Sequence, residues 1–388
     1  MSAVPAGTRA PGPHASFVTR LATAVLVLAL STLVGPVAGG AAQDRPLAPP
    51  RIVAVGDVHG DFDQFVSVLR AAGIVDRRNR WLGGRTHLVQ TGDLLDRGPD
   101  SRKVMDLLID LEGQARRAGG AVHALVGNHE IMNLVGDLRY VSPGEYEAFR
   151  GPDSAALRDR AFALLADATR KDDAAYREQW NAEHPLGWVE HRMAFGPKGR
   201  YGRWLRARDV VLRLGDTAFL HGGISPKYAA LTADAINARV RAEMADDRAL
   251  ATGMAVDENG PLWYRGLARD DEATLAAHVD TVLSTLGVRR LVIGHTITAG
   301  AVMPRFGGRV ILIDVGLSSV YGGPPAALLI EGGRPFALHR GRKLALPLDG
   351  QLLPYLEAAA ALDPPPSPLA GVIDDIRAGR PALLLRTP

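Results

Sequence analysis

The chain has 388 residues, of which 47% are hydrophobic and 22% are charged, and this balance excludes a disordered or collagen-like protein. The 45 Lys and Arg residues against 42 Asp and Glu residues give a formal net charge of +3, which excludes a nucleic-acid footprint over the whole surface. Because the sequence has no cysteine, disulfide scaffolds, Cys-ligated zinc, iron–sulfur centres and thiol nucleophiles are excluded as well.

The first 42 residues have the pattern of an export signal. Arg9 and Arg20 precede an uncharged run over residues 21–40, and small residues follow up to Ala42. This pattern predicts a cleaved signal peptide over residues 1–42 and a periplasmic or secreted protein. The alternative is an uncleaved membrane anchor, since the uncharged run approaches the roughly 20 residues that span a bilayer. A Pro-rich linker is expected over residues 43–50.

After the linker, apolar runs alternate with polar turns and helical segments. Strands are predicted at residues 51–56, 86–90 and 122–126, and helices at residues 62–72 and 104–118. Each of the three apolar runs leads into a Gly-Asp or Gly-Asn turn. This alternation is typical of an α/β layered sheet.

From residue 137 the pattern changes. Residues 137–209 are charged, aromatic and helical in periodicity, which predicts a helical insertion in the core domain. We therefore expect one domain over residues 51–340 and a C-terminal extension over residues 341–388. The strands predicted after the insertion lie at residues 210–214, 218–220, 291–293, 310–313 and 327–330.

Five of the predicted strands end in a turn that carries Asp, Asn or His. These turns are Gly56-Asp57-Val58-His59-Gly60, Gly92-Asp93-Leu94-Leu95-Asp96-Arg97-Gly98, Gly127-Asn128-His129-Glu130, His221-Gly222-Gly223 and Gly294-His295-Thr296. One such turn alone is more often ordinary turn chemistry than a metal site. In open α/β sheets, however, ligands bind at the carboxyl ends of the strands, so five turns in order should converge on one crevice. Oxygen and imidazole ligands without sulfur suit Mn, Fe or Zn.

These turns resemble the motifs of a known family. GDVHG, GDLLDRG, GNHE, HGG and GHT are similar to the motif series of the calcineurin-like metallophosphoesterases, specifically of the phosphoprotein phosphatase family. GDVHGD, GDLLDRGPD, GNHEIMN with GDLRYVSPGEY, HGGI and GPLWYRG resemble most the Shewanella-like protein phosphatases, from about residue 52 to residue 321. The resemblance implies a layered β-sandwich flanked by helices. It also implies metal-dependent hydrolysis of phosphate monoesters, on Ser/Thr or Tyr phosphate.

The resemblance further implies two divalent or trivalent metal ions, which would activate a water for in-line attack on phosphorus. The six implied ligands are Asp57 and His59 for the first ion, Asp93 as the bridge, and Asn128, His221 and His295 for the second.

Four more residues receive roles from the resemblance. His129 would protonate the leaving oxygen, and Asp96 would hold its imidazole, although Asp96 could instead only orient its loop. Arg97 and Arg265 would bind the phosphoryl oxygens through their guanidinium forks. Tyr321 would either line the cleft or pack in the core.

The end of the insertion carries seven cations and one acid between residues 192 and 213. Interleaved with them are Phe195, Tyr201 and Trp204 and the glycines Gly196, Gly199 and Gly202. One interpretation is a solvated face of arginines with buried stems. The other is an adaptable, glycine-rich loop with stacking aromatic rings, which would attract acidic or phosphorylated peptide.

Two alternative functions stay open beside the phosphatase. A diadenosine-tetraphosphate-type hydrolase uses a similar motif series, and a non-catalytic scaffold of the same fold would bind partners without turnover. The presence of all six implied ligands and of His129 weighs against the scaffold. The expected partner is a phosphorylated protein or peptide, or a small phosphate ester. Nucleic acid is not expected as a partner, and a membrane is expected only if the N-terminal segment stays uncleaved.

Overall fold

A computed structural model describes residues 49–386 of the chain. The predicted signal peptide over residues 1–42 lies outside the described residues, and so does most of the predicted linker. The strands, in chain order, are β1 (Arg51–Val55), β2 (His87–Gln90), β3 (Ala121–Ala124), β4 (Val211–Leu214), β5 (Thr217–Leu220), β6 (Arg290–Ile293), β7 (Met303–Arg305), β8 (Val310–Leu312), β9 (Ala326–Glu331), β10 (Arg334–His339) and β11 (Arg342–Ala345).

The helices lie between and after these strands. In chain order they are α1 (Phe62–Ala71), α2 (Ser101–Arg117), α3 (Asn128–Val135), α4 (Pro143–Phe149), α5 (Ser154–Leu165), α6 (Ala174–Glu183), α7 (Trp188–Phe195), α8 (Arg200–Arg206), α9 (Ala233–Ala245), α10 (Asp247–Leu250), α11 (Gly266–Arg269), α12 (Glu272–Leu286), α13 (Leu352–Ala360) and α14 (Ala370–Arg377). None of the described helices is both long and apolar enough to span a membrane.

The strands form two sheets, which confirms the mixed α/β fold. The first has the order β11-β10-β9-β1-β2-β3, and the second has the order β4-β5-β6-β8-β7. Strands β1, β2 and β3 run parallel to one another, and so do β5, β6 and β8. In register, Val55 pairs with Gln90, and Leu220 pairs with Ile293. The parallel strands of each sheet therefore end at the same level, and so their following turns lie side by side.

The central strands are buried because they are continuous apolar runs. Four of the five residues of β1 are buried, as is typical of parallel strands covered on both faces. Helix α1 begins at the cap Asp61, whose side chain accepts from Gln64 N, and it buries Phe65 and Leu69 on one face. One contiguous buried cluster contains residues of both sheets, so the sheets share a single core.

All eight strands predicted from the sequence are present, and three further strands were not predicted. Strand β7 contains Pro304, and β11 contains Arg342 and Lys343 at the edge of its sheet. Proline and charged residues are common at sheet edges, where they discourage pairing with other chains, and they hide the alternation that predicts a strand. Strand β11 also extends the first sheet past residue 340, where the domain was expected to end.

Between β3 and β4, the described residues of the predicted insertion form helices α4 to α8 and no strand. Helices α5 and α6 contribute to a small second core, in which Phe162 packs edge-on against Trp180 at a ring distance of 5.2 Å. The chain then returns to the main core through Phe195 and Tyr201, both buried. The insertion thus packs partly on itself and partly on the sheet-bearing core.

The prediction of a glycine-rich loop was wrong for Gly202, and the turn between α7 and α8 is confined to residues 196–199. Gly202 lies in α8 and is buried, and a Cβ at this position would overlap the carbonyl oxygens of Phe195 and Gly196. Gly199 caps α8, and a Cβ at this position would overlap backbone atoms of Ala194 equally closely. These glycines are therefore needed because α7 and α8 approach each other backbone to backbone.

In the interpretation of the cationic run as a cap surface, the stacking role of two aromatic rings was wrong. Phe195 and Tyr201 belong to the core and are not available for stacking with a ligand. Lys198, Arg203 and Arg213 of the run are exposed, whereas the other four cations contact neighbouring groups. Their contacts are Arg192 with Asn133 O at 2.5 Å, Arg200 with Asp106 at 2.9 Å, Arg206 with Met244 O at 2.9 Å and Arg208 with Glu112 at 2.6 Å.

Candidate active site

The carboxyl ends of the parallel strands in both sheets deliver polar side chains to one place. Strands β1, β2 and β3 are followed by Asp57, Asp93 and Asn128, while β5 and β6 are followed by His221 and His295. Eight of the predicted site residues are buried, each at most 6% exposed: Asp57, His59, Asp93, Asp96, Asn128, His129, His221 and His295. So many buried titratable groups are costly unless they bind a charge or one another.

Asp93 lies at the centre of this cluster. Its Oδ1 is 3.3 Å from His221 Nε2, whereas its Oδ2 is 3.7 Å from His59 Nε2 and 3.9 Å from His129 Nε2. Burial by itself would raise the pKa of Asp93, but His221 and His129 outweigh it and hold that pKa well below its usual range. The two oxygens of one carboxylate thus face two different sets of imidazoles, as a bridging ligand requires.

Three imidazoles are oriented by backbone carbonyls. His221 Nδ1 donates to Thr91 O at 3.0 Å, His59 Nδ1 to Leu95 O at 3.1 Å and His295 Nε2 to Trp263 O at 3.0 Å. A proton on each of these nitrogens leaves the other nitrogen with its lone pair pointing into the cluster. This outward hydrogen bond is the usual arrangement of a metal-binding histidine.

His221 Nε2 provides the sharpest test of whether a cation fits. It is 2.8 Å from Asn128 Oδ1 and 3.1 Å from His295 Nδ1, in addition to its contact with Asp93. With the protons of both imidazoles directed outward, all of these atoms present lone pairs to one another. Such an arrangement is repulsive by itself and becomes favourable around a cation, so the donor set fits a metal ion.

Two groups of three side chains could hold an ion, and they share Asp93. They are His59, Asp93 and His129, and Asp93, His221 and His295. The ligand atoms of each group lie within 4.8 Å of one another. Asp57 lies equally near, with its Oδ2 4.0 Å from His59 Nε2. By distance alone, either Asp57 or His129 could complete the group of ligands around His59 and Asp93. The hydrogen bonds of His129 distinguish the two.

His129 is held by a carboxylate and not by a carbonyl. Its Nδ1 is 2.5 Å from Asp96 Oδ2, and the other oxygen of Asp96 accepts from Asn133 Nδ2 at 2.9 Å. Burial would lower the pKa of His129, but Asp93 and Asp96 outweigh it and raise that pKa above 6.5. A histidine whose ring is held by a carboxylate and whose pKa is raised suits a proton donor better than a metal ligand.

The loops that carry these side chains have strained backbones. Of the eight non-glycine residues with positive φ in the described part of the chain, five belong to the site: His59, Asp93, Asp96, Arg97 and His295. A Cβ at Gly92 would overlap the backbone of Gly127, so the loops after β2 and β3 approach too closely for any side chain there. Strain of this kind is concentrated at functional sites, where surrounding contacts maintain it.

Two residues that shape the site were not singled out from the sequence. Glu130 accepts from Asp93 N and Leu94 N, both at 2.8 Å, and from Gly127 N at 2.7 Å, and so it ties two ligand loops together. Its position three residues after Gly127 is a helix-capping signal that could have been recognised. Asp314 follows β8 and is buried, and its Oδ2 has no partner among the described residues.

Asp314 adds a third carboxylate to the cluster. Burial raises its pKa to about 6. Burial also raises the pKa of Asp57 well above its usual range, and the negative charges of Asp314 and Asp93 add to that effect. Ionising these carboxylates together in the buried site is therefore unfavourable unless a cation neutralises their charge. A sixth apolar run that ends in Ile313-Asp314 was the sequence signal for this residue.

The rim of the site consists of two tyrosines and two arginines. The guanidinium of Arg97 lies 3.9 Å from the ring centre of Tyr140, whose ring is 5.2 Å from that of His129. The ring of Tyr321 is 5.4 Å from that of His59 and only partly buried, so Tyr321 lines the site. Arg265 donates to His295 O and, at 3.2 Å, to Thr296 Oγ1. Every site residue predicted from the sequence is thus in this one region.

The family model of the calcineurin-like phosphoesterases matches residues 50–298. The chain belongs to that family. The phosphoesterase is 35% identical to Uncharacterized protein C1840.07c of Schizosaccharomyces pombe, over 73% of this chain and 78% of the relative. It is 32% identical to Shewanella-like protein phosphatase 2 of Arabidopsis thaliana, over 71% of this chain and 73% of the relative.

A solved structure is also similar to this phosphoesterase. It is the cold-active protein-tyrosine phosphatase of a psychrophilic Shewanella species, with 32% identity and a TM-score of 0.59 over 77% of this chain and 81% of that one. The resemblance inferred from the motifs is thereby confirmed, together with the fold and the hydrolysis of phosphate esters. The substrates of the phosphoesterase are phosphorylated molecules or phosphate esters.

Proposed function

We propose that this phosphoesterase is a phosphoprotein phosphatase with a centre of two metal ions. The observation that carries the proposal is the convergence of His221 Nε2 with Asn128 Oδ1, His295 Nδ1 and Asp93 Oδ1. Asp93 is shared with a second group on the opposite side, which supports a pair of ions over a single one. The donor set of carboxylate, amide and imidazole suits Mn, Fe or Zn.

In this proposal, each ion has its own ligands. Asp57 and His59 would hold the first, Asn128, His221 and His295 would hold the second, and Asp93 would serve both. Two such ions supply a strong nucleophile from water at neutral pH and neutralise charge that develops on the phosphoryl group.

The remaining residues act on the phosphoryl group and on the leaving group. Arg97 and Arg265 bind phosphoryl oxygens, because each guanidinium lies at the rim of the site and can form two parallel hydrogen bonds. His129 donates its proton to the leaving oxygen, and its contact with Asp96 at 2.5 Å keeps the imidazole oriented and protonated.

A cavity near His129 offers space for the leaving group. The cavity has about 230 Å³ and is lined by Met132, Asp137, Arg139, Tyr140, Val256, Glu258 and Trp263, and the ring of Tyr140 lies 5.2 Å from that of His129. Its apolar wall suits the side chain of a polypeptide substrate. The similar Shewanella enzyme is described as a protein-tyrosine phosphatase, which supports phosphotyrosine as the first residue to test.

A phosphatase assay on the purified full chain tests the proposal. The substrates are a phosphotyrosine peptide, a phosphothreonine peptide and a dinucleoside tetraphosphate, each with Mn²⁺ and with a chelator. We expect turnover of phosphopeptide that the chelator abolishes, and the ratio of the two peptides gives the residue preference. Turnover of the dinucleotide alone would replace the proposal by a nucleotide hydrolase. No turnover of any substrate, with normal metal content, would favour a non-catalytic scaffold.

We also propose that the protein is exported. The support is the sequence of residues 1–42, with two arginines before an uncharged run and small residues after it. Sequencing the N-terminus of the mature protein from the cell envelope and medium tests this. A start near Gln43 is expected, whereas an intact N-terminus in the membrane fraction would indicate the anchor.

A further inference from the structure

The last described residues of the chain pair with a loop of the active site. Ala299 N donates to Leu384 O at 2.8 Å, and Arg386 N donates to Ile297 O at 2.9 Å. Between these two hydrogen bonds, Thr298 and Leu385 form an antiparallel bridge. We call residues 384–386 the C-terminal strap.

The side chain of Arg386 extends this pairing to a second loop. Its Nη2 donates to Ala299 O at 2.9 Å, and its Nη1 donates to Tyr321 O at 3.1 Å. A Cβ at Gly300 would lie 3.1 Å from Nη2, so the guanidinium packs directly on the backbone there. One planar group thus joins the loop after β6 to the loop after β8.

These two loops also contact each other. Thr298 N donates to Asp314 O at 2.8 Å, and a Cβ at Gly316 would lie 3.1 Å from Ile297 Cγ2 and 3.2 Å from Tyr321 Cβ. The strap therefore packs on the β6 loop, and the β6 loop in turn packs on the β8 loop.

Each loop carries a residue of the site. The β6 loop begins with His295, one of the proposed metal ligands, and its position depends on residues that follow directly. The β8 loop carries Tyr321, whose ring contacts His59, and Asp314, whose carboxylate lies in the buried cluster. The guanidinium of Arg386 donates to the backbone carbonyl of Tyr321 itself and to that of Ala299, four positions after His295.

We propose that Arg386 is a positioning residue of the active site, which fixes His295 and Tyr321 through the backbones of their loops. The inference rests on the proposed metal-dependent function of that site. The guanidinium suits the role because its donors have a fixed planar geometry and can reach two carbonyls in different loops. The carboxylates of Asp314 and Asp363 also attract it. Without Arg386, two site loops would lose their common anchor.

The test compares three variants of the full chain with the parent. Arg386→Ala removes the guanidinium, and Arg386→Lys keeps the charge without the planar fork. Arg380→Ala is the matched control, because it removes the same charge from the same tail and, within residues 49–386, the Arg380 side chain pairs with Asp375 alone, at 2.9 Å. The measurements are Mn²⁺ binding to the metal-free protein by calorimetry, kcat and KM on p-nitrophenyl phosphate, and the thermal unfolding midpoint.

We expect Arg386→Ala to weaken Mn²⁺ binding or lower kcat by about 10- to 100-fold, the usual range for residues that orient metal ligands. Arg380→Ala should match the parent protein. Arg386→Lys should recover less than half of the loss. Millimolar methylguanidine should restore part of the kcat of Arg386→Ala, whereas methylammonium should not. A variant that is merely destabilised would respond to neither compound.

The outcomes separate this inference from the proposed function. If the parent protein binds no Mn²⁺, the proposed function fails and the inference fails with it. If the parent binds Mn²⁺ and turns over substrate, but Arg386→Ala does the same unchanged, only the inference is wrong. An equal loss in Arg380→Ala would also overturn it, because the effect would then belong to the charge of the tail.

Discussion

At the scale of single residues, the site depends on which atom of each side chain points inward. Three imidazoles donate a hydrogen bond from one ring nitrogen to a backbone carbonyl, and the other nitrogen of each faces the cluster; they belong to His59, His221 and His295. His129 differs because a carboxylate, Asp96, accepts its outer proton. This difference in partner separates three proposed ligands from one proposed acid, although all four are imidazoles within one buried cluster.

Replacing His129 tests that separation. We expect His129→Ala to lower kcat by about 10²- to 10⁴-fold on a phosphoserine peptide, the range for loss of a general acid. The loss should be smallest on p-nitrophenyl phosphate, whose leaving group needs no proton. Metal content, measured by mass spectrometry, should stay normal. Loss of an ion would instead assign His129 to the ligands, and equal losses on both substrates would exclude the role of acid.

Asp93 offers a second test, because its two oxygens face different imidazoles. We expect Asp93→Ala to lose both ions, since Asp93 is the residue that the two candidate ligand groups of the described site share. The matched control is Asp374→Ala, an exposed position on α14 that should keep the metal content of the parent. Retention of two ions by Asp93→Ala would show that the bridge is assigned to the wrong residue.

At the scale of elements, both the turns after strands and the contacts between helices require glycine where backbones approach each other closely. The turns after β1, β2 and β3 need glycine because neighbouring loops approach each other closely, as Gly92 approaches Gly127. In the insertion, the same requirement arises between helices, where Gly202 of α8 packs against the end of α7. A glycine-rich stretch is therefore compatible with a rigid contact as well as with a loop.

A pair of helical glycines tests this interpretation of Gly202. We expect Gly202→Ala to lower the free energy of unfolding by about 1–3 kcal/mol, the usual cost of overpacking. At Gly371 in α14, a Cβ would meet no neighbouring atom within 4 Å, so Gly371→Ala should raise the free energy of unfolding by up to about 1 kcal/mol. Urea unfolding measures both. A stable Gly202→Ala would show that α7 and α8 can separate.

At the scale of the whole molecule, the site joins the two sheets. Asp57 and Asp93 follow strands of the first sheet, whereas His221 and His295 follow strands of the second. His295 N also donates to both oxygens of Asp57 at 3.1 Å, so the sheets are in contact at the site itself. An ion held by ligands from both sheets would link them, and only the folded chain brings these ligands together.

Metal should therefore stabilise the whole fold. A ligand that binds only the folded state adds about 2.7 kcal/mol at 100 times its Kd. We expect Mn²⁺ to raise the thermal unfolding midpoint of the full chain and a chelator to reverse the change. Asp93→Ala should show no such shift. An unchanged midpoint for the parent protein, at Mn²⁺ concentrations that support activity, would mean that the folded and unfolded chains bind the ion equally.

The parts of this protein that the sequence determined by itself are those with a local signal. Strands β1, β2, β3, β5 and β6 are short apolar runs, and each leads into a turn with a ligand-type residue. Because parallel strands of one sheet end at the same level, this pattern was sufficient to predict the fold class and to place the predicted site residues in one region.

The tertiary structure alone decided the features that depend on distant partners. Arg200 and Arg208 pair with acids of α2, and the rings of Phe195 and Tyr201 are buried in the core, which no local pattern records. Arg386 contacts Ala299, 87 positions away in the chain, and nothing in the residues around Arg386 indicates that contact. Local periodicity reflects which side of an element is apolar, whereas the neighbour on that side is chosen by the packing of the whole chain.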